Sequence, residues 1–308
     1  MIIWDLTNIY GGDVRYMRSR FPDGQPHIQV LNRKDLKPDD GPIEIITNIK
    51  SAEDIVELGM ALSIWSRWVG YNPINVTIGY LMGARMDRPI DENQPGTLDV
   101  IKRMLRGIFE DLVTHARVLD AHSSLSLDLG AVNSVMSMTP QRLWSTAIAG
   151  MTNIYDAQPM VVGPDKGAFN RYGAMGVPDT AGVATCEKHR DPQTGKLSGF
   201  KLVAGDVKDK HCLIVDDICD GGGTFVGISK VLREAGAKSV SLCVTHGLFT
   251  GSAGAALEGI DHIWTTDTVC KLVSGKLTAW KAGAPHGETH LHVMHNYLLD
   301  EVKSWSKP

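Results

Sequence analysis

Apolar and polar positions along this chain follow two periods that take turns. Short runs rich in β-branched residues predict strands: NVTIGYLMGA (residues 75–84), HARVLDA (115–121) and PMVVGPD (159–165). Between them lie stretches of helical spacing, GTLDVIKRMLRGIFEDL (96–112) and, entering after Pro140, PQRLWSTAIAG. The best-defined unit starts at CLIV (212–215). Beyond it Phe225, Ile228, Leu232 and Ala235 recur at three- or four-residue spacing, Gly236 stops the helix they predict, and SVSLCVTHG (239–247) alternates as a strand should. Strand, loop, helix, strand is a βαβ unit. Its repetition predicts an α/β protein with mainly parallel sheets. The MSMTP stretch (136–140) separates two similar sets of elements, which places the domains at 1–137 and 138–285. The tail HVMHNYLLDEVKSW has helical spacing and assigns 286–308 to a terminal helix.

Composition narrows the class. The 308 residues suffice for two domains, and 43% hydrophobic with 21% charged residues describes a globular chain. A net charge of −4 gives no basic footprint, so no nucleic-acid partner is expected. No apolar run has the length of a membrane span, and Asp5 interrupts MIIWDLTN before it could serve as a signal core; the expectation is a cytoplasmic protein with no membrane partner. The five cysteines (Cys186, Cys212, Cys219, Cys243, Cys270) form no C-x-x-C pair. They read as small buried apolar residues and not as a disulfide framework or zinc site.

The chemistry concentrates in HCLIVDDICDGGGTF (211–225). A loop that joins a strand to a helix lies at the carboxyl edge of a parallel sheet, where open α/β folds bind ligands. Glycines let backbone N–H groups turn towards an anion, and the helix N-terminus adds partial positive charge, so the loop suits a phosphate. It is not a Walker A loop, because no lysine follows, nor G-x-G-x-x-G, because Val226 holds the last position. Asp216 and Asp217 therefore need a task compatible with a nearby phosphate. They can accept from sugar hydroxyls or hold Mg²⁺. A ligand with vicinal hydroxyls at one end and a phosphate at the other satisfies both, which is a ribose 5-phosphate moiety. A surface turn with acidic caps is the bland alternative, and the glycine triplet beside three acids makes it the weaker one.

LIVDDICDGGGT resembles the phosphoribosyl-diphosphate motif shared by type I phosphoribosyltransferases and ribose-phosphate pyrophosphokinases. Other segments choose between them. SRFPDGQ (19–25), MGARMDRP (82–89), VLDAHSS (118–124), VVGPDKGAFNR (161–171) and CEKHR (186–190) resemble pyrophosphokinase segments in the family's order, and GDVKDKHCLIVDD and VTHGLFTGSA continue the match. The resemblance implies two similar phosphoribosyltransferase-type, Rossmann-like domains, with the final helix against the first. It implies an ATP-dependent diphosphotransferase that moves the β,γ-diphosphoryl group of ATP to the 1-hydroxyl of ribose 5-phosphate, with Mg²⁺ as cofactor.

By the same resemblance Lys188 and Arg190 belong to a mobile basic catalytic loop. Asp216 and Asp217 hold ribose hydroxyls, and Asp220, Gly221, Gly222, Gly223 and Thr224 hold the 5-phosphate. His122 and Asp165 match metal and ATP-phosphate ligands. Arg85, Asp87 and Arg88 contact ATP, and Phe21 stacks on adenine with Asp23 and Gln25 near its edge. The segment around Phe21 reaches a neighbouring subunit's nucleotide in the family, which implies a homo-oligomer, dimer-based and commonly a hexamer. Three departures stand out: Gln25 replaces a glutamate, Met86 a glutamine, and Gly221 stands where the family often has threonine. The last opens the 5-phosphate cradle, which makes ADP-ribose the alternative acceptor. A phosphoribosyltransferase that consumes phosphoribosyl diphosphate ranks lower, as does an inactive regulatory subunit, because Lys188, Arg190, His122 and Asp165 are all retained.

Overall fold

The computed structural model of the protein describes residues 1–37, 41–69, 73–89, 91–110, 112–129, 132, 134–165, 167–168, 180–190, 197–250, 257, 259–270 and 290–305. The chain divides into two compact units, residues 1–139 with 296–308, and residues 140–295.

The first unit is built on a five-stranded parallel sheet. Its strands are β1 (Ile2–Asp5), β4 (Ile43–Ile49), β5 (Ile74–Leu81), β6 (Val113–Leu119) and β7 (Ser134–Met138), in that spatial order. β4 reads IEIITNI and is buried along its whole length, as a central strand covered on both faces must be. Helices α1 (Ala52–Val69) and α2 (Thr97–Phe109) close the crossovers. α2 buries Leu98, Ile101, Leu105 and Phe109, the stripe its sequence spacing predicts. An antiparallel hairpin, β2 (Tyr16–Arg20) with β3 (Pro26–Val30), stands apart from this sheet. Helix α5 (Tyr297–Trp305) packs on β4 and buries Tyr297, Leu298 and Val302.

The second unit begins with α3 (Gln141–Tyr155), entered after Pro140 as the sequence predicts. Its seven-stranded sheet has the order β10 (Leu197–Ala204), β9 (Gly182–Arg190), β8 (Met160–Gly163), β11 (His211–Cys219), β12 (Ser239–Gly247), β13 (His262–Thr266), β14 (His290–Met294). All neighbours are parallel except the β9–β10 hairpin. Helix α4 (Gly223–Glu234) turns Phe225, Ile228 and Leu232 into the core, and Gly236 takes a φ of +92° just past its end.

One boundary needs correction. The 286–308 segment is not one terminal helix, because His290–Met294 is a strand that pairs with β13 from His262↔His290 to Thr266↔Met294. Helical structure starts only at Tyr297. The side of β13 away from β12 offers a row of backbone donors and acceptors, and that ladder outweighs the helical spacing at the start of the tail.

Cys186, Cys212, Cys219 and Cys243 are buried and Cys270 is half-buried; all five are free thiols. Burial pushes the Cys186 thiol up to about 11 and Cys212 up to about 12, so both stay protonated at neutral pH.

Candidate active site

The register sets the floor of the site in the second unit. β8, β11 and β12 run parallel and side by side, so their carboxyl ends share one edge of the sheet. Asp165 lies just past the end of β8. Asp216 and Asp217 lie near the end of β11, and the segment 248–250 follows β12. The sequence reading put both aspartates at the end of the strand, against the glycine loop. The strand runs two residues further, so both lie inside β11, where adjacent residues face opposite sides of the sheet. Asp216 is half-buried and Asp217 is 4% exposed. The Asp217 N–H donates to Asp216 Oδ1 at 3.0 Å. The carboxylates thus flank the glycine loop without lining it, which relieves the repulsion that their sequence proximity to an anion cradle suggests.

The loop itself is residues 220–222. Gly222 is the N-cap of α4, in the left-handed region at φ +79°, and its carbonyl accepts from Phe225 N at 3.0 Å and Val226 N at 3.1 Å. The first amides of a helix have no partner within it, and the helix dipole places positive charge on them, so the start of α4 at Gly223 and Thr224 is built for an anion. A Cβ at Gly222 would sit 3.1 Å from the Leu257 side chain, whereas one at Gly221 or Gly223 would meet nothing within 4 Å among the described residues. Gly222→Ala is therefore expected to cost roughly 1–2 kcal/mol from the left-handed backbone alone. It should also raise the KM for the phosphorylated acceptor; denaturant midpoints and acceptor titrations check the two parts.

Asp220, expected at the 5-phosphate, also holds a neighbouring segment. Its carboxylate accepts from the Thr250 hydroxyl and its carbonyl accepts from Thr250 N at 3.2 Å, while Cys219 O accepts from Leu248 N at 2.9 Å. These bonds tie the segment after β12 to the loop. Thr250 was not singled out by sequence reasoning, although it falls within the VTHGLFTGSA segment that continues the family match.

Lys188 also sits differently from expectation. The basic segment 186–190 is not a loop: it is the end of β9, paired with β10, where Lys188 lies opposite Phe200. β9 runs beyond the level of Gly163, which pairs with Thr185, and so carries Lys188 past the end of β8. There Lys188 Nζ donates to Asp165 Oδ2 at 3.2 Å, and Asp165 Oδ1 accepts from Ala168 N at 3.0 Å. Arg190 ends the strand. Of the polar segment DPQTGKLSG (191–199) that follows, Leu197–Gly199 begin β10, while 191–196 and FNRYGAM (169–175) lie outside the described residues.

The remaining predicted residues belong to the first unit. Arg85, Asp87 and Arg88 follow β5, and His122 follows β6, so the parallel register puts these four after neighbouring strands at the same edge of that sheet. Asp87 is half-buried with Arg88 Nε 3.8 Å from its carboxylate. Phe21, Asp23 and Gln25 form the β2–β3 turn. Phe21 N donates to Gln25 O at 3.0 Å, and Gln25 Nε2 donates to Asp23 Oδ2 at 2.9 Å. The Phe21 ring is 51% exposed, with its centroid 5.2 Å from that of His27.

A ribose-phosphate pyrophosphokinase of Thermococcus kodakarensis is 30% identical over 259 residues, covering 83% of this chain and 86% of that one. This chain belongs to the ribose-phosphate pyrophosphokinase family. The family's member from Pyrococcus furiosus is 27% identical over 83% of this chain and 86% of its own. The profile of the phosphoribosyl transferase domain matches residues 146–271, from within α3 to just beyond β13. The crystal structure of phosphoribosylpyrophosphate synthetase from Mycobacterium smegmatis superposes with a TM-score of 0.70 at 20% identity, over 95% of this chain and 90% of that one. At that identity the likeness speaks for the family fold, two phosphoribosyltransferase-type units with mainly parallel sheets.

Proposed function

We propose that this pyrophosphokinase transfers the β,γ-diphosphoryl group of ATP to the 1-hydroxyl of ribose 5-phosphate, giving phosphoribosyl diphosphate and AMP. The observation that carries the reading is the edge of the second unit's sheet. A helix N-terminus suited to a phosphate, two carboxylates suited to hydroxyls and a lysine aimed past the strand ends all belong to it.

The 1-hydroxyl oxygen attacks the β-phosphorus, the bond from that phosphorus to the oxygen bridging to the α-phosphate breaks, and the hydroxyl proton is lost. Little of this is covalent work for the protein, so positioning and charge neutralisation carry the catalysis. The amides at the start of α4 hold the 5-phosphate, with Gly221, Gly222, Gly223 and Thr224 shaping the cradle and Asp220 bracing it through Thr250. Asp216 and Asp217 accept from the ribose hydroxyls. Lys188, with Arg190 beyond it on β9, donates to the oxygens of the moving diphosphoryl group. In the structure Lys188 rests on Asp165, and an incoming phosphate would exchange with that carboxylate as its partner.

Mg²⁺ suits carboxylate oxygen, which Asp165, Asp216 and Asp217 would offer in the second unit; in the first unit the candidate ligand is His122. Among the described residues no group of three or more such side chains is arranged to hold a metal by itself. Mg²⁺ commonly keeps only one or two protein carboxylates and takes its other ligands from substrate phosphates and water. When bound it supplies neutralising charge to those phosphates.

We assign Arg85, Asp87, Arg88 and His122 to ATP, and Phe21, Asp23 and Gln25 to the adenine. The exposed Phe21 turn supports the reading that the hairpin reaches a second copy, making the protein a homo-oligomer of dimers. Among the described residues a Gly221 Cβ would meet nothing within 4 Å, which keeps ADP-ribose as a second acceptor to test. The decisive assay follows AMP release from Mg-ATP with ribose 5-phosphate and with ADP-ribose in parallel. Turnover with ribose 5-phosphate is expected. Turnover with ADP-ribose alone would reassign the acceptor, and none with either would overturn the activity.

A further inference from the structure

We propose that Phe200 is the positioning residue for Lys188, and that Gly227 is a glycine because Phe200 occupies the place of its side chain. This rests on the reading of Lys188 as a catalytic residue. Lys188 and Phe200 are directly opposed in the antiparallel β9–β10 ladder, so their side chains leave the hairpin on the same side. Two residues back on that side, Cys186 opposes Leu202. Cys186 is fully buried, and Leu202 and Phe200 both pack against the second unit's core. This face of the hairpin is thus turned inward, and Phe200 is its apolar anchor at the level of the lysine.

The seat of that anchor is α4, which packs on β10. A Cβ built on Gly227 would lie 2.2 Å from Phe200 Cε2 and 2.3 Å from Cδ2, separations that no pair of carbon atoms tolerates. The ring fills the volume that any other residue at 227 would need. Gly227 lies about one helical turn beyond Gly223, where the helix opens onto the phosphate loop. The lysine's own rung of the ladder is therefore docked on the helix that cradles the acceptor phosphate. Register shifts between Leu197 and Gly199 and between Leu202 and Ala204 break the hairpin on either side of this rung. Phe200 lies in the regular stretch between them, so its seat sets the height and direction from which Lys188 emerges.

A displaced lysine affects the transition state more than substrate binding, so the signature is a loss in kcat with KM preserved. The experiment compares Phe200→Ala, Gly227→Ala, the double variant, Phe200→Leu and Lys188→Ala by steady-state kinetics, with thermal unfolding to confirm folding. Phe200→Ala and Gly227→Ala should each lose about 10- to 100-fold in kcat, with both KM values within about twofold of the parent. Adding Gly227→Ala to Phe200→Ala should cost nothing more, because the glycine acts only through the ring. Phe200→Leu, which keeps a bulky apolar anchor, should lose less than Phe200→Ala. If Phe200→Ala does not fold, Gly227→Ala and Phe200→Leu carry the test alone.

Unchanged kcat in Phe200→Ala beside an inactive Lys188→Ala would overturn the proposal and leave the catalytic reading intact. Multiplying losses in the double variant, or losses confined to KM, would overturn it equally. Full activity in Lys188→Ala would remove the catalytic reading, and the proposal with it.

Discussion

Lys188→Ala is expected to lower kcat by on the order of 10³-fold, the scale of removing a donor that acts on charge formed in the transition state. ATP should bind nearly as before. The side chain extends past the end of β8, where it pairs among the described residues with a partly exposed carboxylate, Asp165, at 3.2 Å. Such a pair contributes little to folding, so the variant should unfold close to the parent. Lys188→Arg should recover only part of the rate, because a planar guanidinium keeps the charge but not the reach or shape of an ammonium. Rapid-quench measurement of AMP release at saturating ATP and acceptor separates the chemical step from binding. Turnover within tenfold of the parent would show that the diphosphoryl charge is met elsewhere.

Asp216→Asn and Asp217→Asn are expected to cost about 10- to 100-fold each in kcat/KM for the acceptor, since a hydrogen bond to a charged partner contributes about 1.5–3 kcal/mol. The two should not be equivalent. They lie on opposite faces of β11, one half-buried and the other 4% exposed. Asp216→Asn should act mainly on acceptor affinity. Asp217→Asn should add a fall in stability, because the amide presents donors where a buried carboxylate only accepts. Acceptor KM with denaturant midpoints for each variant tests both halves. Equal acceptor KM in parent and Asp216→Asn would take that carboxylate off the ribose.

What the sequence made legible followed the range of the interactions involved. The 212–247 unit could be read because the spacing of Phe225, Ile228 and Leu232 and the stop at Gly236 are local facts about a single helix. The β9–β10 hairpin could not. Lys188 looked like a loop residue because its strand partner, Phe200, lies beyond a polar stretch with no strand pattern of its own. Asp216 and Asp217 marked the end of their strand in the sequence, yet the strand runs on to Cys219. Charges at the end of a strand break the apolar run but not the ladder, which β12 continues to Ile218↔His246 and Cys219↔Gly247. β14 hid inside a tail of helical spacing because its pairing with β13 is a long-range contact. Asp220 was recognised as part of the site, while its work of holding Thr250 was invisible until both were placed.

The tail helix has a consequence for biogenesis. α5 belongs to the first unit, where Tyr297, Leu298 and Val302 are buried and the helix packs on β4, a strand that leaves the ribosome some 250 residues earlier. At ordinary elongation rates the nascent first unit waits roughly ten to fifty seconds for its last piece. Throughout that interval the apolar surface that α5 will cover stays open, beside a second unit that needs nothing from the distant chain to finish its own sheet. The domain translated first is thus the one completed last, and a ribosome that stalls late leaves it the more exposed to aggregation of the two.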